Sequence, residues 1–573
     1  MKLLILCLTL FLTIQSFAYN YYVATDGNNS NPGTFAQPWL TWDYAFSSSS
    51  VNAGDTVFIR GGVYNITVTN GSGYGVTRTG TADNWIVYTN YPGEVPILDC
   101  SAATPTGQYN GGIGGSARSA NYVKFRGLTV RNLYQKRTDV MVWATGFGCE
   151  NGNFIFENCT AYNIEGVGFE SYFYDGWPDV DGYHYFINCD AYECSNPEVI
   201  PGYLPGNNGS GFSSTSFTST RGHAYAINCR AWECGDQGFV FSGEHYCETD
   251  GCWSFYNGLL QGDGHGFKLG WHDLVYPGPG RLNVVLKNSL AAYNRASGIT
   301  TNDSGEGLAT GMNIFNNTIY HNGFMGDGWD YIYGIYVYNT PDNIDNERLR
   351  VFRNNISFDN KQGEIYLASG ADYTHSNNSW DGGATITSAD FKALPESQVA
   401  GISLLSSPRN QDGSLPDLGD YFQLVENSDA IDAGVDVGLP YSGAAPDLGS
   451  FEYDDEIQST ATDILTFTLA DQTGAATINA TNHTVAIEVA YTADITDLTP
   501  TITLSYGATV IPASGVSRNF STPQTYTVTA LDGITTQAWV VTVTQEAAPA
   551  TRKRIVLNGT RPLLYGTKVV IID

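Results

Sequence analysis

Cationic side chains are scarce in this chain. Its 573 residues include 27 Lys and Arg against 57 Asp and Glu, a net charge of −30. No basic stripe runs through it, which excludes a nucleic-acid partner held by phosphate contacts. The acids are scattered rather than blocked, as on a soluble extracellular surface. A polyanionic partner would need a local cluster of cations or a bound metal. Metal-type C-x-x-C spacing is lacking among the ten cysteines, which argues against zinc. Beyond residue 18 no apolar run is long enough for a transmembrane segment. The one long apolar run, residues 3–14, follows Lys2 and precedes Ser16 and Ala18 at cleavage-site spacing. Residues 1–18 therefore read as a secretory signal peptide, and the expected protein is an exported monomer. An oxidising destination would allow disulfides, and Cys247 and Cys252 are close enough in sequence to pair.

What the chain has in abundance is repetition. "NCTAYNI" (158–164), "NCDAYEC" (188–194), "NCRAWEC" (228–234), "GCWSFYN" (251–257), "NSLAAYN" (288–294), "NNTIYHN" (316–322) and "NNISFDN" (354–360) recur at intervals of 23 to 40 residues. A second element follows most of them: "GFE" at 168, "GFS" at 211, "GFV" at 238, "GFK" at 266, "GIT" at 298 and "GIY" at 334. Such self-similarity marks a solenoid in which each repeat buries its apolar face against its neighbours. Each unit reads as one coil of a parallel β-helix. The opening Asn residues would stack amide on amide, and the Gly would allow a tight bend. Phe169, Phe212, Phe239, Phe267, Ile299 and Ile335 would point inward as an apolar column. Alternation then turns Glu170, Ser213, Val240, Lys268, Thr300 and Tyr336 outward. Cys159, Cys189 and Cys229 would form a second inward ladder, as small buried hydrophobes.

Residues 21–64 resemble the opening of many secreted right-handed β-helix proteins, and residues 428–453 resemble their closing segment. The expected fold is all-β, with a right-handed parallel β-helix over residues 19–454. Residues 459–546 then shift to alternating Thr, Val, Ile and Ala, as in "YTVTALDGITTQAWVVTVTQ". This pattern predicts a small antiparallel β-sandwich, and it resembles the immunoglobulin-like accessory modules of bacterial secreted enzymes. "EAAPA" (546–550) is a linker. The basic, β-prone tail 550–573 reads either as a sorting signal or as a final strand pair.

One lysine stands out in this frame. Lys268 lies in "GDGHGFKLGW" (262–271), facing outward in a central coil. By position alone it is an ordinary solvated strand lysine. The surrounding segment, from "CWSFYNG" to "GDGHGFKLG", resembles the catalytic coil of the family-nine polysaccharide lyases, in which the lysine of a G-F-K-L-G segment is the catalytic base. The resemblance implies a secreted bacterial enzyme, free or at the cell surface, that cleaves a uronic-acid polysaccharide by β-elimination, with Lys268 as base and an acidic polysaccharide as partner. Lysine is a poor base at pH 7, with an ordinary pKa near 10.4, and burial or nearby cations lower that value. Phe267, Leu269 and Trp271 supply apolar surroundings. The enolate-like transition state also needs positive charge at the substrate carboxylate.

In the family, calcium supplies that charge. Its ligands come from a D-D-G-W-D run one coil before the lysine and from an Asp two coils before. The matching segments here are "GDQGFV" (235–240) and "GSGF" (209–212). Asp236 is kept, while Gln237, Val240 and Ser210 stand where the family has carboxylates. Asp236, Gln237 and Ser210 are thus the candidate ligands of a depleted calcium site. Alternatively, cations in the same coils could meet the substrate: Arg221, His223, Arg230, His265, His272 and Arg295. His265, three residues before Lys268, is foremost among them. The long turns 196–207 and 323–333 would wall the groove with aromatic rings. The altered metal site suggests an altered substrate, another uronic-acid polymer as readily as pectate. Two rival readings remain open here: a glycoside hydrolase using carboxylates such as Asp236, Asp263 and Glu170, and a non-catalytic carbohydrate-binding β-helix.

Overall fold

The computed structural model describes residues 18–547, apart from 67–72, 106–108, 115–119, 175–181, 199, 217–221, 244, 271–282, 303–310, 326–331, 339–349, 370, 372, 454–459, 506–507 and 531–532, together with a strand pair at Leu563–Tyr565 and Lys568–Val570. Arg221, Trp271, His272, the apolar run 3–14 and most of the tail lie outside the described residues. The chain divides into two units, Met1–Tyr453 and Asp454–Asp573.

The first unit is a parallel β-helix. Its described strands form sheets of 12, 10 and 9 strands, and successive strands of each coil go to the three sheets in turn. One coil is Gly222–Ile227, Arg230–Trp232 and Phe239–Gly243. The next is Tyr246–Asp250, Trp253–Phe255 and Phe267–Leu269. The corner between the first two sheets needs a left-handed residue. The opening asparagines Asn158, Asn188, Asn228, Asn288, Asn316 and Asn354 provide it, with φ from +51° to +58°. Asn tolerates that region better than most residues.

The amide ladders that the sequence suggests stand mainly on neighbouring columns. Asn257 donates to Asn294 (2.9 Å), Asn294 to Asn322 (3.0 Å) and Asn322 to Asn360 (3.0 Å). In a parallel column, Asn317 donates to Asn355 (2.9 Å) and Asn355 to Asn378 (2.8 Å). In earlier coils, cysteines face carbonyls of the same kind. The Cys189, Cys229 and Cys252 thiols donate to the carbonyls of Phe186's coil and its neighbours, namely Phe156, Phe186 and Ala226. The nine described cysteines are free and buried. The pairing expected of Cys247 and Cys252 is therefore corrected. Cys252 belongs to this ladder, whereas the Cys247 sulfur faces His245 Nε2 at 3.0 Å.

The inward column forms in register. Phe169, Phe212, Phe239 and Phe267 are paired in succession, their rings stack at 4.7–5.0 Å, and Ile299 and Ile335 continue the row. The glycine before each has a different reason from the expected bend. A Cβ on Gly266 would stand 2.5 Å from the Gly298 carbonyl oxygen, and one on Gly238 2.0 Å from Ser254 Oγ. Neighbouring chain occupies the space of a side chain.

The coils stop at Thr374–Ser376 rather than running to 454. The chain then folds back over the second sheet. Leu405 of the helix Gln398–Leu405, with Leu418 and Phe422, packs on Trp232, Trp253, Phe255, Tyr293 and Tyr320. In the second unit the strands Thr477–Asn479, Thr484–Val489, Thr536–Gln545, Gln524–Thr529 and Thr509–Ile511 make one sheet, and Ile464–Thr468 pairs with Thr501–Leu504. Trp539, Tyr526 and Phe467 form its core. Pairing is antiparallel except between Thr484–Val489 and Thr536–Gln545, which run parallel.

The Asn294→Leu substitution should destabilise the β-helix by about 3 kcal/mol in urea unfolding. It would take the acceptor from the Asn257 backbone N–H and side-chain amide and a donor from the Ser254 carbonyl, and each buried group left unpaired costs about 1–3 kcal/mol. A change below about 0.5 kcal/mol would show that the ladder contributes little.

Candidate active site

Phe267 and Leu269 are buried on either side of Lys268, so strand alternation turns the lysine outward. It lies beside Val240 of the preceding coil and Thr300 of the following one. The outward column Glu170, Ser213, Val240, Lys268, Thr300, Tyr336 is thus in register. Most of it is covered, while the Lys268 side chain remains 19% exposed.

A polar network surrounds the amine. Lys268 Nζ donates to Asp263 Oδ2 at 2.5 Å. Gln237 Nε2 donates to the same oxygen at 3.2 Å, and Ser210 Oγ donates to Gln237 Oε1 at 3.0 Å. The Asp263 backbone N–H donates to Asp236 Oδ1 (2.7 Å), and that of Asn208 donates to Asp236 Oδ2 (3.0 Å). Burial and the adjacent Asp263 push the Asp236 carboxyl up to about 6. Burial also acts to raise Asp263, but Lys268 and the hydrogen bonds it receives outweigh this and hold its carboxyl below the ordinary value. Two neighbouring carboxyl groups are thereby driven apart.

Asp263 is the site residue that the sequence reading placed only in the rival hydrolase. Its link to Lys268 crosses a glycine turn five residues long, with no periodicity to signal it. Arg295 fixes that turn from the next coil, donating to the carbonyls of Leu260 (2.5 Å) and Gly262 (3.3 Å). It positions the Asp263 loop.

The remaining expected cations are dispersed. His265 adjoins the network, but it is 4% exposed and burial pushes its pKa down to about 4. It is neutral at pH 7, so its expected role as a cation for the substrate is corrected. Its ring bonds to the Ser297 backbone, and Nδ1 has no partner. His223 stands on the first sheet, stacked on Tyr183 at 4.5 Å. Arg230 stands on the second sheet, 2% exposed, and it too is corrected. Its guanidinium is bidentate on Asp190 (2.7 and 2.9 Å) and donates to the Leu405 and Ser407 carbonyls. The returning segment covers it, so it holds structure rather than substrate.

Calcium takes six to eight oxygen ligands. Ser210 and Gln237 here satisfy each other, Asp236 accepts two backbone N–H groups, and the oxygen of Asp263 nearest them carries the Lys268 ammonium. Among the described residues no three His, Cys, Asp or Glu side chains gather as a metal site. These residues do not fit a calcium ion.

A family model described as "Pel9A-like, right handed beta helix region" matches residues 21–332, and one described as "SGBP, N-terminal" matches residues 464–543. The chain is 30% identical to pectate lyase L of Dickeya dadantii (strain 3937) over 447 residues, 75% of this chain and 90% of that protein. It is 27% identical to pectate lyase L of Paenibacillus polymyxa (strain SC2) over 435 residues, 74% of this chain and 85% of that protein. Among solved structures, pectate lyase Pel9A matches with a TM-score of 0.55 at 26% identity, covering 77% of this chain and 97% of that one. A rhamnogalacturonan lyase matches with a TM-score of 0.57 at 25% identity, covering 71% and 97%.

Two outcomes follow from the burial of these side chains. Arg230→Met should lower stability by about 1–3 kcal/mol, because Asp190 keeps Arg409 but loses its second arginine and the Leu405 and Ser407 carbonyls lose a donor; a near-neutral result in chemical unfolding would contradict the structural role. His265 has a folded pKa depressed from 6.5 to about 4. Its contribution is full above pH 6.5 and is lost as pH falls from 6.5 towards 4, on the order of 3 kcal/mol in all. Urea titrations across that window should show a shallower decline in His265→Gln, and an unchanged slope would count against a buried neutral imidazole.

Proposed function

Because the chain belongs to the Pel9A-like right-handed β-helix family and is a polysaccharide lyase, we propose that it cleaves a uronic-acid-containing polysaccharide by β-elimination, with Lys268 as the base. The observation that carries this reading is the isolation of that amine. In the described strands of the nine-stranded sheet Lys268 is the only Lys, Arg or His, and it lies at the partly exposed point of the outward column.

The chemistry follows from that placement. The proton on C5 of a uronate lies alpha to the carboxylate, so it is the acidic one. Lys268 Nζ, after its resting ammonium gives a proton to solvent, takes the C5 proton; the C5–H electron pair becomes the C4=C5 double bond of an unsaturated product, and the C4–O4 pair leaves with O4, which takes a proton from water. The ammonium that forms needs a carboxylate to receive it, although the same carboxylate also favours the protonated amine before reaction. Asp263 is that group, and Gln237, the Asp236 contact to its backbone and the Arg295-braced loop hold it in place. His265 closes the inner side without adding charge. No step is routed through calcium, since the donors around Asp236 do not accommodate it. The substrate is pectate or another uronic-acid polymer, met outside the cell, as the signal-like residues 1–18 suggest.

Lys268→Ala should lower the rate of ultraviolet-absorbing product formation by about 10²–10⁴-fold, the scale of a general base, with the fold intact by circular dichroism. Retention of more than a tenth of the wild-type rate would remove Lys268 from the base role. A calcium chelator should leave the wild-type rate unchanged, and loss of activity that added calcium restores would show that the site does take the ion.

A further inference from the structure

Removing a proton alpha to a free carboxylate builds a second negative charge beside the first. The reaction then needs positive charge at the carboxylate as well as a base. Lys268 is the base, and the other cations of its coils are committed elsewhere among the described residues. Arg230 is enclosed on the second sheet with Asp190, His223 stands on the first sheet, and His265 is neutral. Arg295 directs its guanidinium at the carbonyls of Leu260 and Gly262 in the Asp263 loop. The donors around Asp236 do not accommodate calcium.

The charge beside the amine has the opposite sign. The Asp263 carboxyl is held below its ordinary value, so it is ionised at pH 7, and the Asp236 carboxyl accepts its backbone N–H. A free uronate brought to Lys268 would meet the Asp263 carboxylate. Bound to the ammonium, it would also hold the amine protonated. An ester of the same uronic acid meets neither obstacle. It carries no charge, and its C5 proton is more acidic, because the enolate that forms bears one negative charge rather than two.

The rim next to this network is apolar. The turn 196–207 packs there on the turn that leads to Asp263. Gln261 donates its backbone N–H to the Pro205 carbonyl at 2.7 Å, and a Cβ on Gly206 would stand 3.0 Å from Leu260 Cβ. Four side chains of these turns, Tyr203, Leu204, Leu259 and Leu260, are between 36% and 51% exposed. Leu260 lies three residues before Asp263, whose carboxylate receives the Lys268 ammonium. Exposed apolar side chains grouped at the edge of a site mark an interaction surface. Ester methyl groups lose water against such a rim, whereas carboxylates gain nothing from it.

We propose that Lys268 acts on uronates esterified at C6, as in methyl-esterified galacturonan, and that Tyr203, Leu204, Leu259 and Leu260 receive ester methyl groups of the bound chain. The inference rests on the lyase reading of Lys268 and sets the form of its substrate. Lys268 Nζ, as the free amine, takes the C5 proton alpha to the ester carbonyl. The C5–H electron pair becomes the C4=C5 double bond, and the C4–O4 pair leaves with O4, which takes a proton from water. The ester itself is unchanged.

The test uses the full chain at neutral pH, with calcium added and, separately, with a chelator. The substrates are galacturonan and rhamnogalacturonan, each as the free acid and as its methyl ester, read by ultraviolet absorbance of the unsaturated product. Lys268→Ala serves as the blank, because such esters eliminate slowly on their own. Wild type should cleave one of the esters at least about tenfold faster than the matching free acid, and saponifying that ester should remove the gain. The double variant Leu204→Ser/Leu260→Ser should raise KM for the ester about fivefold with kcat little changed, and leave KM for the free acid as it was. Cleavage of a free acid as fast as its ester, or faster, in either condition would overturn the proposal while leaving Lys268 as base. An ester preference with KM unmoved in the double variant would overturn the role of the rim. No unsaturated product from any of the four polymers would remove the lyase reading, and this inference with it.

Discussion

Everything in the first unit depends on how closely successive coils approach. Parallel strands stacked at about 4.8 Å place equivalent residues of successive repeats one above another, so each position in the repeat becomes a column through the protein. A column must consist of groups that tolerate themselves as neighbours. Aromatic rings stack, asparagine amides donate to the next amide, and thiols bond to the carbonyl of the coil before. Where Cβ would collide with the adjacent backbone, as at Gly266, or with a buried side chain, as at Gly238, only glycine fits. The aromatic, amide and thiol columns are therefore satisfied by their own neighbours, and the outward face inherits a rigid register.

That register holds the Lys268 amine. Lys268 cannot slip, because Phe267 and Leu269 on either side are fixed in columns. The strand fixes where the amine emerges, but it does not supply the partner. Asp263 arrives on a turn outside the repeat, tied to Asp236 of the preceding coil and braced by Arg295 of the following one. A regular scaffold with irregular turns thus divides the labour: strands position, and turns bring in the groups that modify the chemistry.

The second sheet shows the converse. Its outward residues Trp232, Trp253 and Phe255 would be exposed in a bare solenoid. Residues 388–424 cover many of them, and Arg230 is enclosed with Asp190 and Arg409 in an ion-pair cluster. Outward in the repeat does not mean accessible in the protein, which is why an arginine in the right coils plays no part in the site.

The sequence by itself determined the periodic part of this protein. The repeats, the inward Phe and Ile column, the outward position of Lys268 and the change of pattern after residue 454 were all legible, because each is a local alternation repeated at fixed offsets. The tertiary structure decided what has no period. Asp263 reaches Lys268 across a glycine turn, His265 is buried and neutral, Arg230 is roofed by a segment some 170 residues later, and Cys247 and Cys252 stay apart on different columns. Contact, burial and charge at these positions depend on segments distant in the chain, and no spacing within a repeat records which distant segment returns to cover it.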